Sequence, residues 1–265
     1  MLIKVTQCCS MGCSHCMNNA VPCERHMTID TFKDVLAFIK KYDGFILGDT
    51  LTGGEPFEHP NIWELVDIYF KTFSLRPLTI ATNGLYLQNN QELVIEKCDK
   101  YPFLLFQVTN DTRYYPIKLD LTKRIFRRKK QIYIVTEIGH HLTPKGRAKI
   151  NHPEEKGFDN KCPACMNVKL MALQTKNGTL SEVFDNLRMN NKKCIPSIQY
   201  NGNIAFGEFD DCPGFVSIYD DEKTIYNSIL TFSCDRCPEL KQKIIDNIDS
   251  WLPKTFLDKY KNLLF

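Results

Sequence analysis

Three cysteines near the start of the chain are spaced closely enough to serve one metal centre. Cys9, Cys13 and Cys16 form a C-x3-C-x2-C pattern directly after the apolar run Leu2-Ile3-Lys4-Val5. The soft irons of a four-iron cluster favour thiolate ligands, and three thiolates leave one iron open to a ligand from outside the protein. A zinc knuckle or buried free cysteines are the alternatives, but zinc usually takes four ligands from two paired halves, which this segment lacks. We expect chemistry at the open iron.

A second motif, Gly53-Gly54-Glu55, extends the pattern. Together the two motifs resemble those of the radical S-adenosylmethionine (radical SAM) superfamily. In that family the amino and carboxylate groups of SAM chelate the open iron of a 4Fe-4S cluster, and one electron from the cluster cleaves SAM to a 5′-deoxyadenosyl radical. The resemblance implies that this chain uses SAM and a 4Fe-4S cluster, with Cys9, Cys13 and Cys16 as the cluster ligands.

The resemblance also implies contacts with SAM. The backbone around Gly53-Gly54-Glu55 is expected to receive the methionine amino group, because glycines allow a close approach; a tight turn with an incidental glutamate is the alternative. His15 stands where the family places a ring against the adenine, unless it is a solvent-facing loop histidine. Thr109 is expected to touch the ribose or carboxylate, and Asn83 to lie at another cofactor-side strand end. Both are also common turn residues.

Apolar patterns along the first half predict strands that alternate with helices. The predicted strands are Leu2–Val5, Phe45–Leu47, Leu78–Ala81, Phe103–Val108 and Ile132–Val135, with helices beginning near Thr28, near Ile62 and near Leu93. Alternation of this kind implies an α/β fold with a parallel sheet and right-handed crossovers, in which sites form at the carboxyl ends of the strands. Each motif above follows a predicted strand. The resemblance implies a partial (β/α)6 barrel of the radical SAM type, open on one side for substrate.

Composition limits the class of protein. The 265 residues are 43% hydrophobic and 25% charged, as in an ordinary globular protein. The chain has no apolar stretch long enough to span a bilayer and no signal-peptide layout, so we expect a cytoplasmic protein. A formal net charge of +3 gives no reason to expect nucleic acid or membrane partners. Twelve cysteines then suggest metal binding rather than disulfides.

The C-terminal cysteines predict a second metal centre. An Asn201-Gly202 signal predicts a hairpin with a type I′ turn between Cys194 and Cys212, and a C-x2-C pair follows at Cys234 and Cys237. Four thiolates from two halves complete a site for a cluster or for structural zinc. The C-x(9–15)-G-x4-C spacing is similar to that of SPASM and Twitch domains. Because no cysteine follows Cys237, the Twitch form with one auxiliary 4Fe-4S cluster fits better.

Three regions are predicted. Residues 1–150 form the radical SAM partial barrel, residues 151–193 a linker or bridging region that contains Cys162 and Cys165, and residues 194–265 a small hairpin-plus-helix iron–sulfur module. The barrel ends near Pro144-Lys145-Gly146-Arg147-Ala148, which resembles a segment common at this point in radical SAM enzymes that carry a C-terminal cluster domain. Cys162 and Cys165 are open to several roles, including a metal site shared with Cys98 or Cys23.

Cys8 and the basic run Lys123–Lys130 are both interpreted as having no part in the chemistry. Cys8 is interpreted as a bystander beside Cys9. The basic run Lys123–Lys130 is interpreted as a solvated face, with docking of an acidic peptide or a phosphate-bearing substrate as the alternative.

The resemblance favours an enzyme that abstracts hydrogen from a substrate, with an auxiliary cluster that makes net oxidation the expected outcome. Many enzymes with SPASM or Twitch modules modify ribosomally made peptides by cross-linking or dehydrogenation, whereas others act on small molecules. An external donor such as flavodoxin or ferredoxin would supply electrons. Because the chain starts directly at strand one, a peptide substrate would call for a separate recognition protein. A non-catalytic iron–sulfur or zinc protein is the alternative from another class.

Overall fold

The structure is a computed structural model that describes residues 1–42, 48–135, 146–154, 169, 171–189, 197–205 and 214–231. Its strands are β1 (Leu2–Thr6), β2 (Asp49–Gly53), β3 (Leu78–Thr82), β4 (Leu104–Thr109), β5 (Ile132–Val135), β6 (Ser197–Ile198), β7 (Asn203–Ala205) and β8 (Gly214–Ser217). Its helices are α1 (Ile29–Tyr42), α2 (Ile62–Thr72), α3 (Leu85–Asn89), α4 (Gln91–Lys100), α5 (Gly146–Asn151), α6 (Leu180–Met189) and α7 (Glu222–Thr231).

All eight strands belong to one sheet, in the order β5-β4-β3-β2-β1-β6-β7-β8. The pairs from β5 through β1 to β6 are parallel, and β7 and β8 continue the sheet as antiparallel strands. In the described part of the chain the edge strands β5 and β8 do not pair, so the sheet is open. The predicted α/β fold of the radical SAM type, with alternating strands and helices, is confirmed.

The helices form where a cap and an apolar stripe coincide. Thr28 accepts a hydrogen bond from the Thr31 backbone N–H at 3.1 Å, which satisfies one free donor at the start of α1. The stripe predicted from Phe32 to Ile39 is buried against the sheet. In α2 the predicted apolar positions are likewise all buried, namely Ile62, Leu65, Val66, Tyr69 and Phe70.

The two faces of the sheet differ in polarity. On the face covered by helices, Ile3, Leu51, Ile80 and Phe106 stand side by side in register and are fully buried. On the opposite face the register aligns Lys4 with Thr52, and Ala81 with Gln107 and Tyr133. Gln107 and Tyr133 are exposed. The core therefore lies under the helices, and the polar face is the more open one.

One local prediction lies outside the described residues, and another differs from the structure. Residues 45–47, predicted as a strand, lie outside the described residues, and the strand before Gly54 is Asp49–Gly53. The predicted hairpin is confirmed as β6 and β7, but its turn is not type I′. Only Gly202 has a positive φ, of 84°, and its N–H donates to the Gln199 carbonyl at 2.9 Å. That is a type I turn followed by a left-handed glycine, which suits a residue without Cβ.

The hairpin occupies a position that the sequence patterns did not indicate. Its first strand pairs in parallel with β1, with Leu2 opposite Ser197 and Ile3 opposite Ile198. The third antiparallel strand, β8, and the helix α7 were not predicted. Residues 197–205 thus extend the sheet on the side of β1, which leads directly into the cysteine segment.

The basic run has a structural explanation. Arg124–Arg127 form one 3₁₀ turn that buries Ile125 and Phe126. Arg128 pairs with Asp99 at 2.5 Å, and Arg124 lies 3.9 Å from Glu92. These contacts favour a solvated face anchored by its two apolar residues.

No helix within the described ranges combines the length and the apolar character needed to cross a membrane.

Candidate cluster and cofactor site

The segment between β1 and α1, called the cluster loop here, comprises residues 7–28 and folds back on itself. The Cys9 N–H donates to the Val21 carbonyl at 3.1 Å, and the Met27 N–H donates to the Val5 carbonyl at 2.8 Å. This return brings Cys8 and Cys23 together as a disulfide at the base of the loop. The interpretation of Cys8 as a bystander is therefore wrong, and so is the expectation of metal rather than disulfides for these two residues.

The three predicted cluster ligands lie inside this closed loop. Cys9 and Cys16 are half-buried, Cys13 is buried, and all three are free thiols. Burial raises the pKa of the Cys9 thiol to about 12 and that of the Cys13 thiol to about 11, and Cys16 raises the latter further by its charge. Without a metal the Cys9 and Cys13 thiols are protonated at neutral pH. Bound irons would deprotonate them, because a metal cation reverses the cost of placing thiolates there.

Three free thiols on one loop could each bind a different iron of a cubane cluster. In the described residues no three His, Cys, Asp or Glu side chains gather around a point that one metal ion could occupy.

The Gly53-Gly54-Glu55 motif lies against the cluster loop. The Gly54 N–H donates to the Thr6 carbonyl at 2.9 Å, and the Glu55 N–H donates to the Cys8 carbonyl at 2.8 Å. A Cβ on Gly53 would overlap the Thr6 carbonyl oxygen, and one on Gly54 would overlap that of Cys8. The close approach that these glycines permit is thus one between β2 and the segment that carries the cysteines.

Glu55 joins the carboxyl ends of two strands. Its carboxylate accepts hydrogen bonds from the Thr82 hydroxyl at 2.7 Å, the Asn83 N–H at 2.8 Å and the Phe57 N–H at 3.2 Å. Burial raises the pKa of Glu55 to about 7, although these three donors act to lower it. The alternative of an incidental glutamate is wrong, because Glu55 fixes the relative position of β2 and β3.

The two weaker candidates have local partners. The Asn83 side-chain Oδ1 accepts a hydrogen bond from the Leu85 N–H at 2.9 Å, which is the turn role that asparagine often takes at strand ends. Thr109 is half-buried and stands in register with Val135 of β5. Both residues lie at the edge of the sheet predicted for them, at the ends of β3 and β4.

His15 is enclosed by aromatic rings. It is 5% exposed, and its ring centroid lies 5.1 Å from that of Tyr114 and 5.0 Å from that of Tyr115. The alternative of a solvent-facing histidine is therefore wrong. Burial lowers its pKa to about 4, so the imidazole is neutral near pH 7. Its Nδ1 is buried and has no hydrogen-bond partner within the described ranges, which fits a ligand that contributes a polar atom there.

Sequence reasoning missed two residues in the first half of the chain that face the same space. The Asn18 amide donates to the Gly53 carbonyl at 3.2 Å, and its buried Oδ1 has no partner among the described residues. The Tyr115 ring centroid lies 5.0 Å from that of His15, and burial raises the pKa of the Tyr115 hydroxyl. No local pattern marks either residue, because their partners lie far away in the sequence.

Sequence reasoning named Arg147 only within the segment Pro144-Lys145-Gly146-Arg147-Ala148 and gave it no role at the site, where it contacts the cluster loop from α5. The remaining cysteines divide into two groups. Cys98 is a free thiol buried in the core on α4, and Cys23 is committed to the disulfide, so a metal site that uses Cys23 is excluded. Six cysteines lie outside the described residues, namely Cys162, Cys165, Cys194, Cys212, Cys234 and Cys237.

Comparison with known proteins gives a family match. The model of the Radical SAM superfamily matches residues 3–137, slightly more than half of the chain. Among curated proteins, GTP 3′,8-cyclase of Chlorobaculum tepidum is 30% identical over 96 residues, which are 36% of this chain and 28% of that protein. The antilisterial bacteriocin subtilosin biosynthesis protein AlbA of Bacillus subtilis is 30% identical over 86 residues, which are 32% of this chain and 18% of that protein.

Among solved structures, BtrN in complex with AdoMet and 2-DOIA matches with a TM-score of 0.57 at 14% identity, over 85% of this chain and 80% of that one. At that identity the likeness concerns the fold. The chain spans less than a third of the length of either curated relative above. The residues matched by the family model include the cluster loop and Gly53-Gly54-Glu55.

Proposed function

The chain belongs to the radical SAM superfamily, and from that premise we propose that it generates a 5′-deoxyadenosyl radical and uses it to abstract hydrogen from a ribosomally made peptide, which is thereby oxidatively modified. Membership implies an enzyme that uses SAM and a 4Fe-4S cluster. The observation that carries the proposal is the cluster loop itself, in which three free thiols lie beside Glu55, His15 and the carboxyl ends of the strands.

We assign the reducing cluster to Cys9, Cys13 and Cys16. When bound, the cluster and SAM supply the radical chemistry, while the protein supplies orientation and exclusion of water. The Cys8–Cys23 disulfide and the hydrogen bonds across the base of the loop fix the segment from which all three thiols project. The neutral, buried His15 is suited to lie against the uncharged adenine ring.

The methionine end of SAM carries an ammonium group that needs acceptors. Backbone carbonyls around Gly53 and the buried Oδ1 of Asn18 are available on this chain to accept from it. Glu55 contributes indirectly, because its carboxylate orients the ends of β2 and β3 around that position. Thr109 and Asn83, at the ends of β4 and β3, remain proposed contacts.

The test is an anaerobic reconstitution. The protein is loaded with iron and sulfide, given SAM and a strong reductant, and assayed for 5′-deoxyadenosine. We expect slow cleavage by the parent protein and none by Cys13→Ala. Cys98→Ala is the matched control, since it removes a buried thiol outside the cluster loop and should retain cleavage. Zinc in place of iron, with no cleavage by the parent, would contradict the proposal and favour a non-catalytic metal protein.

A peptide substrate is supported by the similarity to AlbA, a protein named for biosynthesis of a bacteriocin. A small-molecule substrate is the second candidate, supported by the comparable similarity to GTP 3′,8-cyclase. The proposal includes an external electron donor such as flavodoxin or ferredoxin and, for a peptide, a separate recognition protein.

Isotope transfer distinguishes the two substrates. Short peptides encoded beside this gene would be prepared with deuterated side chains, and deuterated GTP would serve as the comparison. Deuterium in 5′-deoxyadenosine from a peptide, together with the loss from that peptide of the transferred deuterium and of a second hydrogen or deuterium, would support peptide oxidation. Transfer from GTP alone would overturn the peptide assignment and leave the radical mechanism intact.

We also propose one auxiliary 4Fe-4S cluster on Cys194, Cys212, Cys234 and Cys237, which would accept an electron from the substrate radical or bind the substrate. These cysteines lie outside the described residues. Ser197 is the first described residue after Cys194, and Gly214 is the first described residue after Cys212. Both stand in register with Ala205. The chain therefore enters β6 and β8 at neighbouring points, which supports a shared site for Cys194 and Cys212.

A further inference from the structure

The short helix α5 lies directly against the cluster loop. Its first residue, Gly146, has a φ of +50°, and a Cβ there would lie 2.6 Å from the Cys16 carbonyl oxygen and 2.7 Å from that of Met17. Only a residue without Cβ allows this approach. Residues separated by about half the chain are thus in contact immediately after the third cluster cysteine.

Arg147 forms hydrogen bonds to three carbonyls of the cluster loop. Its N–H donates to the Cys16 carbonyl at 2.8 Å, its Nε to the Cys13 carbonyl at 3.0 Å, and its Nη1 to the Ala20 carbonyl at 2.7 Å. The guanidinium is planar and rigid, so its two side-chain bonds fix the distance between the carbonyls that they join. One carbonyl belongs to Cys13, a proposed cluster ligand, and the other to Ala20, which follows the last proposed ligand, Cys16.

Other residues at the end of α5 complete the contact. The Asn151 amide donates to the Ser14 carbonyl at 2.9 Å, and the Ser14 hydroxyl lies 3.0 Å from the His152 Nε2. The segment from Cys13 to Ala20 therefore meets α5 along its whole length. Arg147 is the residue that joins the two ends of that segment.

Arg147 also contributes charge. A guanidinium is protonated at any pH at which the protein folds, and Arg147 is only half-buried, so it carries its charge without a large desolvation cost. Its Nε donates to the Cys13 carbonyl at 3.0 Å, so the charge lies beside a proposed cluster ligand. Reduction of a bound cluster adds one negative charge at the same place.

We propose that Arg147 is a positioning residue for the cluster: it holds the Cys13–Ala20 segment in its ligating arrangement and, by its fixed charge, makes the bound cluster easier to reduce. This inference rests on the proposed assignment of the cluster to Cys9, Cys13 and Cys16. It predicts two separable effects of Arg147, one on the local stability of the Cys13–Ala20 segment and one on the reduction potential of the bound cluster.

Three variants separate these effects. Arg147→Gln removes both the charge and the paired bonds, and Arg147→Lys keeps the charge but cannot hold two carbonyls in a fixed fork. Lys149→Gln is the matched control, since it removes a positive charge from an exposed position of the same helix. Amide hydrogen exchange of the unloaded protein reports the loop, and a redox titration of the reconstituted cluster, followed by electron paramagnetic resonance, reports the potential.

We expect faster exchange at residues 13–20 in both Arg147 variants and no change in Lys149→Gln. Arg147→Gln should lower the ratio of reduced to oxidised cluster at a fixed potential about tenfold, a shift of about 59 mV to more negative values, whereas Arg147→Lys should stay near the parent. Parent-like exchange and parent-like potential in Arg147→Gln would overturn the inference. A parent protein that takes up no iron would contradict the proposed function instead, and the exchange experiment would still test the contact with α5.

Discussion

Among single residues, Glu55 combines full burial with an ionisable group, and its environment predicts a pH effect on stability. Its pKa in the folded protein is about 7, against 4.5 for an ordinary glutamate, because burial disfavours the carboxylate. Between these two values the folded protein binds more protons at this site than the unfolded chain. The free energy of unfolding should therefore fall as the pH rises from 4.5 to 7.

Glu55→Gln removes this titration. We expect the free energy of unfolding of the parent to fall by about 3 kcal/mol more than that of the variant between pH 4.5 and pH 7. Urea unfolding of the unloaded protein at several pH values measures this difference. The variant also loses one acceptor, because an amide nitrogen cannot accept from the Asn83 N–H, so it is expected to be less stable at pH 7.5. Parallel curves for the two proteins would show that Glu55 has an ordinary pKa.

Within elements, the contact between β2 and the cluster loop depends on the absence of a side chain at Gly54. Gly54→Ala would force the new Cβ against the Cys8 carbonyl and break the bonds from the Gly54 N–H to Thr6 and from the Glu55 N–H to Cys8. Overpacking and two lost hydrogen bonds together should cost about 3 kcal/mol or more. Thermal unfolding and iron uptake would both report the loss.

Gly12→Ala is the matched control for this change. Gly12 lies in the same loop with a φ of +68°, and a Cβ there would meet nothing within 4 Å. It should cost only the strain of a left-handed residue, about 1–2 kcal/mol, and should retain iron. Equal losses in the two variants would mean that the loop tolerates no alanine at all, and the specific overlap at Cys8 would not be the cause.

Sequence patterns predicted these elements well where the signal is local. The stripes of α1 and α2, the strands at Leu78 and Ile132, and the hairpin at Asn201-Gly202 depend on neighbouring residues, and the structure confirms them. The type I′ turn was wrong because the glycine alone takes the positive φ. The disulfide was missed because it depends on how residues 7–28 fold back, which no spacing of two cysteines specifies.

In the whole molecule, the site depends on contacts between segments that are distant in the sequence, and the sequence patterns did not predict those contacts. The cysteine pattern and Gly53-Gly54-Glu55 are readable because each is a short motif at a strand end. Tyr115 and Arg147 reach the same place from residues about 100 and 130 positions later, through packing that no periodicity encodes. The parallel pairing of β6 with β1 is of the same kind, since only the assembled sheet brings the hairpin beside the strand that leads to the cluster loop.

The proposed auxiliary cluster leads to a prediction about the metal content of the chain. If Cys194, Cys212, Cys234 and Cys237 bind one auxiliary cluster, the reconstituted parent should hold about eight irons, from two four-iron clusters. Cys234→Ala combined with Cys237→Ala should retain about four irons and should still cleave SAM, because the cluster loop is intact. Oxidation of the substrate should be lost, since no second cluster would remain to accept the electron. Iron analysis together with 5′-deoxyadenosine and product assays measures all three, and a double variant with unchanged iron content would place the second centre on other residues.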